Sequence, residues 1–345
     1  MNEKERLLAT LRLDPVDRVP CACPLQTGTI DLMKASGAYW PEAHVNSELM
    51  SKLARAAHDI GGLESVRVPF DVGVDASAFG ARTDQRRLIR QPAILDRAIR
   101  TPDDLLTLQV PDPTRAGRAP VVLESISKLS QHCPNIPVIC GVVAPFMLAC
   151  QLRGEQEAII DLVLRPSFMK QILEVTTEWG IAYAQAALEE GADVICLVDG
   201  TSSGDVLEAN QYEMFSLPYQ RRLAEAVAKH GGTTILHICG NINRNLRYMA
   251  QTGVNGISVD HCMQIDRVKQ VLEGRVAIIG NISPGSTLMM GTELEVSMET
   301  KKCIDCGTDV IAPGCGFLPE TPLDNMRTMA QTTKTYGRVA KGRCP

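Results

Sequence analysis

The chain has 345 residues, of which 45% are hydrophobic and 22% charged, and its formal net charge at pH 7 is -5. This composition supports a large hydrophobic core without disulfides. The charges are spread without long runs of one sign, which excludes the electrostatic pattern of a protein that binds nucleic acid or an anionic membrane. The length fits either two average domains or one large α/β barrel.

The beginning of the sequence gives an expectation for localisation and for the cysteines. Residues 1–6 are charged where a secretory signal needs an apolar core, and no apolar run approaches the length of a membrane span. We therefore expect a cytoplasmic protein with small-molecule or protein partners, and neither nucleic acid nor membrane among them. In a reducing cytosol its twelve cysteines are expected to be free thiols or metal ligands.

Short apolar, β-branched runs alternate with longer amphipathic stretches, and each run ends near Gly, Pro, Asp or Ser. Runs that are apolar on both faces are typical of parallel strands covered by helices. The predicted strands are Val19–Pro24, Ser65–Phe70, Ile136–Val143, Asp193–Asp199, Thr233–Gly240, Gly256–Asp260, Val276–Ser283 and Asp309–Gly316. Eight such units favour a closed (β/α)8 TIM barrel.

Helical periodicity fills most of the intervals between these runs. The predicted helices are Glu3–Leu13, Glu48–Ile60, Ser167–Glu190, Gln211–His230 and Thr321–Gly337. We interpret the first as an N-terminal extension, residues 71–119 as an elaborated connection, and residues 1–345 as one domain, because no Gly-, Ser- or Pro-rich linker divides the sequence. A doubly wound open sheet is the alternative, but its GxGxxG and GxxxxGK[ST] nucleotide motifs are missing from the sequence.

Two predicted strand ends carry residues suited to a metal ion. Alternate side chains of a strand share a face, so His237 and Cys239, about 6 to 7 Å apart along the strand, can reach one ion. Cys315 has a matching position at the end of the last predicted strand. One histidine and two thiolates suit Zn²⁺, and three protein ligands leave the fourth position open, as in catalytic zinc sites.

Other interpretations of these residues are possible. An isolated H-x-C is more often a packed histidine near a buried cysteine, although the position of Cys315 favours a metal site. Cys303 and Cys306 have CxxC spacing without a second CxxC, so we interpret them as core or at most redox-sensitive. Zinc lowers the pKa of a bound thiol, which favours thiol alkylation. Zinc-dependent hydrolysis relies more on His and carboxylate ligands, and no HExxH motif is present.

Several segments are similar to one enzyme family across nearly the whole chain. They are Arg6-Leu7-Leu8, Val16-Asp17-Arg18-Val19-Pro20, Gln26-Thr27-Gly28, Trp40-Pro41-Glu42-Ala43-His44, Leu236-His237-Ile238-Cys239-Gly240-Asn241 and Ala312-Pro313-Gly314-Cys315-Gly316. The chain resembles the methylcobalamin:coenzyme M methyltransferases of the uroporphyrinogen decarboxylase superfamily. The resemblance implies a zinc-binding barrel that moves a methyl group from a methylated corrinoid, usually carried by a small partner protein, to the thiol of coenzyme M.

Alternatives to this function differ in their sequence requirements. Uroporphyrinogen decarboxylase itself has an arginine-rich segment after the first strand and needs no metal, whereas residues 21–28 contain no arginine. A corrinoid-dependent enzyme with another acceptor, such as a folate, stays open. A non-catalytic corrinoid carrier typically has a D-x-H-x-x-G motif, which is missing, and a zinc-storage site would need a fourth ligand that the sequence does not place near the three others.

Further polar residues at strand ends are candidates for the active site. Asp260 is a candidate fourth zinc ligand or hydrogen-bond partner of His237, and a helix N-cap is the alternative. Asp71 and Asp199 are candidates to contact substrate or corrinoid. Candidate hydrogen-bond donors to a sulfonate, each of which could instead form a turn, are Gln26, Thr27, Asn281 and Ser283.

Overall fold

The computed structural model of the chain describes residues 1–84 and 90–341. Residues 85–89 of the predicted connection and residues 342–345 of the predicted domain lie outside the described residues. The strands are β1 Val66–Val68, β2 Thr83–Asp84, β3 Ala93–Ile94, β4 Val138–Val143, β5 Val194–Val198, β6 Thr233–Ile238, β7 Gly256–Val259, β8 Ala277–Ile282 and β9 Val310–Pro313. Strands β2 and β3 form a short antiparallel hairpin.

The other seven strands form one parallel sheet in the order β1-β4-β5-β6-β7-β8-β9. Every residue of β4 and of β8 is buried, as expected for strands that are covered on both faces. The predicted α/β class and parallel sheet are therefore confirmed. The sheet is strongly curved, because β6 and β9 would lie about 14 Å apart in a flat sheet, yet the Sγ atoms of Cys239 and Cys315 at their ends are 3.6 Å apart.

The first predicted strand, Val19–Pro24, forms no regular strand. It contributes one isolated bridge between Cys21 and Ile311, because Pro20 and Pro24 have no amide hydrogen for a ladder. The amide of Ala22 donates to the carbonyl of Ile311 at 3.1 Å. Buried Glu64 accepts the amide of Cys21 at 3.0 Å. This segment therefore lies between β9 and the residues before β1, and a closed eight-stranded barrel stays a prediction.

Helices fill the connections between the strands. They are α1 Glu3–Leu11, α2 Ile30–Ser36, α3 Ser47–Asp59, α4 Val74–Ala78, α5 Asp104–Thr107, α6 Ala119–His132, α7 Pro145–Arg153, α8 Glu155–Leu164, α9 Pro166–Glu189, α10 Ala209–Phe215, α11 Leu217–Lys229, α12 Leu246–Met249, α13 Ile265–Leu272, α14 Glu293–Asp305 and α15 Leu323–Lys341. Within the described ranges, no helix combines the length and the apolar character that crossing a membrane requires.

Four of the five predicted helices are present as α1, α3, α9 and α15 with shifted ends. Side-chain caps set two of the starts: Asn2 accepts the amide of Glu5 at 2.8 Å and Asn46 accepts the amide of Leu49 at 3.0 Å. The prediction of a single helix over Gln211–His230 is wrong. The helix is interrupted at Ser216, because Pro218 has no amide hydrogen to continue the ladder.

Candidate metal centre

Three side chains that could bind a metal ion converge at the carboxyl ends of two strands. His237 lies buried on β6, Cys239 follows β6, and Cys315 follows β9. The Nε2 of His237 lies 3.0 Å from the Sγ of Cys239, which is 3.6 Å from the Sγ of Cys315. The three ligand atoms lie within 4.8 Å of one another, and no other group of three or more His, Cys, Asp or Glu side chains among the described residues is arranged in this way.

Two glycines shape the backbone around the cysteines. Gly240 has a φ of 75°, which side-chain-bearing residues rarely adopt, so the chain turns directly after Cys239. A Cβ on Gly314 would lie 2.9 Å from the Cα of His261. The loop after β9 therefore packs against the loop after β7, and this contact holds Cys315 beside Cys239.

The two thiols titrate as a pair when no cation lies between them. The hydrogen bond with Cys239 lowers the pKa of Cys315 well below its usual range, with His237 acting in the same direction and burial opposing it. The same hydrogen bond, together with burial, raises the pKa of Cys239. The pair therefore shares one proton and favours one thiolate, the form that binds metals.

A hydrogen bond to its second ring nitrogen orients His237. The Nδ1 atom lies 3.0 Å from the Oγ of Ser258, which is buried on β7 in register with His237. In the tautomer that donates Nδ1–H to this hydroxyl, Nε2 is unprotonated and faces the thiols, and such outer partners commonly fix the ring of a metal-binding histidine. The sequence prediction missed Ser258, although its place two residues before Asp260 was a usable signal.

Asp260 supports the turn that carries Cys239. Its carboxylate accepts the amides of Gly240 and Cys262 at 3.0 Å each. Burial alone would raise the pKa of Asp260, but these two amides hold it below its usual value. Asp260 is therefore an ionised carboxylate in contact with the backbone of the turn that carries Cys239, while Ser258 contacts the Nδ1 of His237.

A cavity of about 700 Å³ opens beside Cys315. Its lining includes Gln26, Arg90, Met289, Cys315 and Phe317. The amide group of Gln26 donates to the carbonyl of Phe317 at 2.6 Å. The Oε1 of Gln26 and the Oγ1 of neighbouring Thr27 are buried without a hydrogen-bond partner in the part of the chain that the structure describes. Two predicted binding residues therefore carry unused polar atoms at or next to this cavity.

Known proteins are similar to this sequence over nearly its whole length. The profile of the uroporphyrinogen decarboxylase (URO-D) family matches residues 2–336. The chain is 38% identical over 334 residues to the methylcobamide:CoM methyltransferase MtbA of Methanosarcina acetivorans, covering 96% of this chain and 98% of that protein. It is also 38% identical over 336 residues to the methylcobamide:CoM methyltransferase MtaA of Methanosarcina barkeri, covering 96% and 98%. The chain belongs to the methylcobamide:CoM methyltransferases of the URO-D family.

A solved structure agrees with this membership. A methyltransferase from Methanosarcina mazei superposes with a TM-score of 0.94 at 36% identity, covering 97% of this chain and 99% of that one. The predicted family is confirmed, and the chain is an enzyme of the methyltransferase class.

In this methyltransferase, Asp71 lies in a buried ion pair. Its carboxylate accepts hydrogen bonds from the Nη2 of Arg118 at 2.6 Å and from the Nη1 of Arg118 at 2.9 Å. It also accepts the amide of Gly73 at 2.8 Å, and the Nδ1 of His44 lies 3.1 Å from its Oδ2. Burial acts to raise the pKa of Asp71, but Arg118 and His44 hold it well below its usual range. The polar atoms of this carboxylate are therefore engaged by the protein itself.

Asp199 is likewise engaged by protein donors. Its Oδ1 accepts the amide of Met147 at 3.0 Å and its Oδ2 accepts the Nε2 of Gln220 at 2.6 Å. Burial raises the pKa of Asp199 to about 6. These bonds tie the end of β5 to α7 and α11.

Asn281 and Ser283 shape the end of β8. The Nδ2 of Asn281 donates to the carbonyls of Asp260 and Met263 at 3.0 and 2.8 Å. The Oγ of Ser283 accepts the amide of Ser286 at 3.2 Å and so caps the short helical turn that follows. In the structure, both residues therefore hold the loops next to the candidate metal centre.

Proposed function

We propose that this enzyme moves a methyl group from a methylated corrinoid to the thiol of coenzyme M or a similar thiol. The corrinoid is either methylcobalamin or a methyl-corrinoid protein, and the reaction depends on zinc held by His237, Cys239 and Cys315. The observation that carries the proposal is the convergence of three donor atoms within 4.8 Å at a cavity beside Cys315. The substrates follow from the names of relatives that are 38% identical.

The donor set fits zinc. One imidazole and two thiolates suit a tetrahedral zinc ion, and three protein ligands leave a position for a substrate atom. Ser258 directs the Nε2 of His237 towards the thiols, and the shared proton of Cys239 and Cys315 already favours one thiolate. Zinc bound there would lower the pKa of a coordinated substrate thiol, so that the sulfur is a thiolate at neutral pH.

The transfer itself is a substitution at the methyl carbon. The thiolate sulfur forms a bond to this carbon while the carbon–cobalt bond breaks. The electron pair of the broken bond stays on the corrinoid, whose cobalt changes from Co(III) to Co(I). The protein contributes by aligning the two reactants, and Asp260 contributes by fixing the Cys239 turn through the amide of Gly240.

The other predicted residues enter the same proposal. Asp260 is proposed as a fourth zinc ligand in the thiol-free enzyme, and Gln26 and Thr27 as hydrogen-bonding groups for the substrate. We propose that residues 19–24 close the sheet into an eight-stranded barrel and that the enzyme works in the cytoplasm with a corrinoid protein. Four residues are proposed to act on substrate through the loops that they brace, namely Asp71, Asp199, Asn281 and Ser283.

An anaerobic assay tests this function. Zinc-loaded enzyme is mixed with methylcob(III)alamin and a panel of thiols that includes coenzyme M, and the corrinoid spectrum reports loss of the methylated form. We expect conversion with coenzyme M that is lost in Cys315→Ala and kept in Cys306→Ala, a thiol outside the three-residue cluster. No conversion with any thiol, with or without a corrinoid protein, would refute thiol transfer and leave a folate as the acceptor to test.

A further inference from the structure

Arg67 is a buried arginine that the proposed reaction does not use. It lies on β1, is 2% exposed, and its Nε and Nη1 have no hydrogen-bond partner among the residues that the structure describes. It pairs in register with Ile139, two residues before Gly141, so these side-chain positions share one face of the sheet. A Cβ on Gly141 would lie 2.7 Å from the Cζ of Arg67. The guanidinium therefore fills the space that a side chain at Gly141 would occupy.

This position lies one layer of side chains below the metal-binding residues. Gly141 pairs with Cys196, and Cys196 pairs with Ile235, which is two residues before His237. Two residues correspond to roughly 7 Å along a strand, and positions two apart face the same side. The guanidinium of Arg67 is therefore on the face that carries His237, about 7 Å below it along the strands and two strands away, at β4.

Two buried thiols, Cys23 and Cys196, lie near both Arg67 and Cys315. Burial raises the pKa of Cys23 and of Cys196 to about 12, the charge of Arg67 opposes this rise at both thiols, and Cys315 adds to it. Arg67 therefore lies near the candidate metal centre.

A buried guanidinium is costly unless an anion pairs with it. The carboxylates that follow β1 are engaged elsewhere, since Asp71 pairs with Arg118 and Asp75 accepts the Nε1 of Trp179 at 2.9 Å. We propose that Arg67 binds the anionic group of the thiol substrate, a sulfonate or carboxylate two or three carbons from the sulfur. The location of the sulfur at His237 rests on the proposed function, whereas the anion site does not.

Arg90 is the rival for this role. It is exposed and lines the cavity beside Cys315. An exposed guanidinium is well solvated and gains little from one more anion, whereas Arg67 is buried and its Nε and Nη1 have no hydrogen-bond partner among the described residues. The proposal therefore assigns the anionic group to Arg67, and Arg90→Met tests the alternative.

The first experiment uses metal-free enzyme and ethanesulfonate, which has no thiol. Thermal unfolding is followed with ethanesulfonate or with the uncharged ethanesulfonamide. We expect ethanesulfonate alone to raise the unfolding midpoint of the wild type by mass action, and we expect this rise in Arg90→Met but not in Arg67→Met. If the wild type shows no rise, or Arg67→Met keeps it, the proposal is overturned.

Two properties separate this role from a structural one. Without ligand, Arg67→Met should unfold at the same midpoint as the wild type or above it, because it removes an unpaired buried charge; a structural arginine would give a clear decrease. Gly141→Ala should lose the response to ethanesulfonate although Arg67 is present, because the added Cβ displaces the guanidinium. A full response in Gly141→Ala would contradict the geometry.

The second experiment compares two thiols that differ only in the anionic group, 2-mercaptoethanesulfonate and 2-mercaptoethanol. In Arg67→Met the ratio of the kcat/KM value for 2-mercaptoethanesulfonate to that for 2-mercaptoethanol should fall about 10- to 100-fold, the usual effect of losing a charged hydrogen bond. An equal fall for both thiols would show that Arg67 acts on the sulfur and would overturn the proposal. If no thiol is methylated at all, the proposed function fails, and the ethanesulfonate experiment still decides the anion site.

Discussion

The hydrogen bond between Ser258 and His237 provides a sharp test of the proposed metal centre. Ser258→Ala removes the hydroxyl that lies 3.0 Å from Nδ1 and leaves that buried nitrogen without its partner. Outer partners of metal-binding histidines typically contribute about 10- to 100-fold in metal affinity, which corresponds to about 1.4 to 2.7 kcal/mol. We expect zinc affinity to fall by this factor, because the ring loses both its tautomer preference and its orientation.

Competition with a chromophoric chelator measures this affinity. Ser125→Ala is a matched control, because Ser125 is equally buried and, among the described residues, its hydroxyl donates to backbone carbonyls of α6 and of Ser47 alone. The control should keep the wild-type zinc affinity, and both variants should stay folded, because one buried hydrogen bond is worth about 1 to 3 kcal/mol. Wild-type affinity in Ser258→Ala would refute the orienting role.

Three further predictions follow from the same site. Cys239→Ala and Cys315→Ala should each lose most of the bound zinc while staying folded, whereas Cys306→Ala should keep its zinc. Elemental analysis that shows full zinc occupancy in both Cys239→Ala and Cys315→Ala would refute the ligand assignment. Thiol binding should release close to one proton near neutral pH, and calorimetry in buffers of different ionisation enthalpy would show no release if the thiol stays protonated. Burial raises the pKa of Asp199 from 3.8 to about 6, so between these pH values the native state binds more protons than the unfolded state. As pH rises through this window, the wild type should therefore lose about 3 kcal/mol of unfolding free energy relative to Asp199→Asn. Denaturation at pH 4 and at pH 7 measures this difference, and equal changes in both proteins would contradict the buried carboxyl.

The three convergent side chains could be found from sequence because their signal is local. His237 and Cys239 are two residues apart at a strand end, and Cys315 follows another strand of the same parallel set, so the geometry of a curved parallel sheet predicts their convergence. The structure has the three donor atoms within 4.8 Å. Their binding of zinc remains a proposal.

Other features depend on partners that lie far away in the sequence. Asp71 follows a strand as Cys239 and Cys315 do, but its carboxylate is paired with Arg118, 47 residues later. Asp199 is engaged by Gln220, 21 residues later. No local pattern distinguishes a carboxylate that faces substrate from one held by a distant donor, because that difference arises only when the chain has folded. Arg67 did carry a local signal, since it is a charged residue inside an apolar run.

The proposed metal site and the proposed anion site differ in chemistry and in depth, and this difference has a consequence for substrate orientation. Soft sulfur prefers the thiolate and imidazole set, whereas a hard sulfonate or carboxylate prefers the guanidinium below it. A short thiol with an anionic end can satisfy both sites in one direction only, because the reversed molecule would leave Arg67 unpaired. A neutral thiol would keep only the interaction of its sulfur. Discrimination among thiols should therefore come from Arg67, while His237, Cys239 and Cys315 determine whether any thiol reacts.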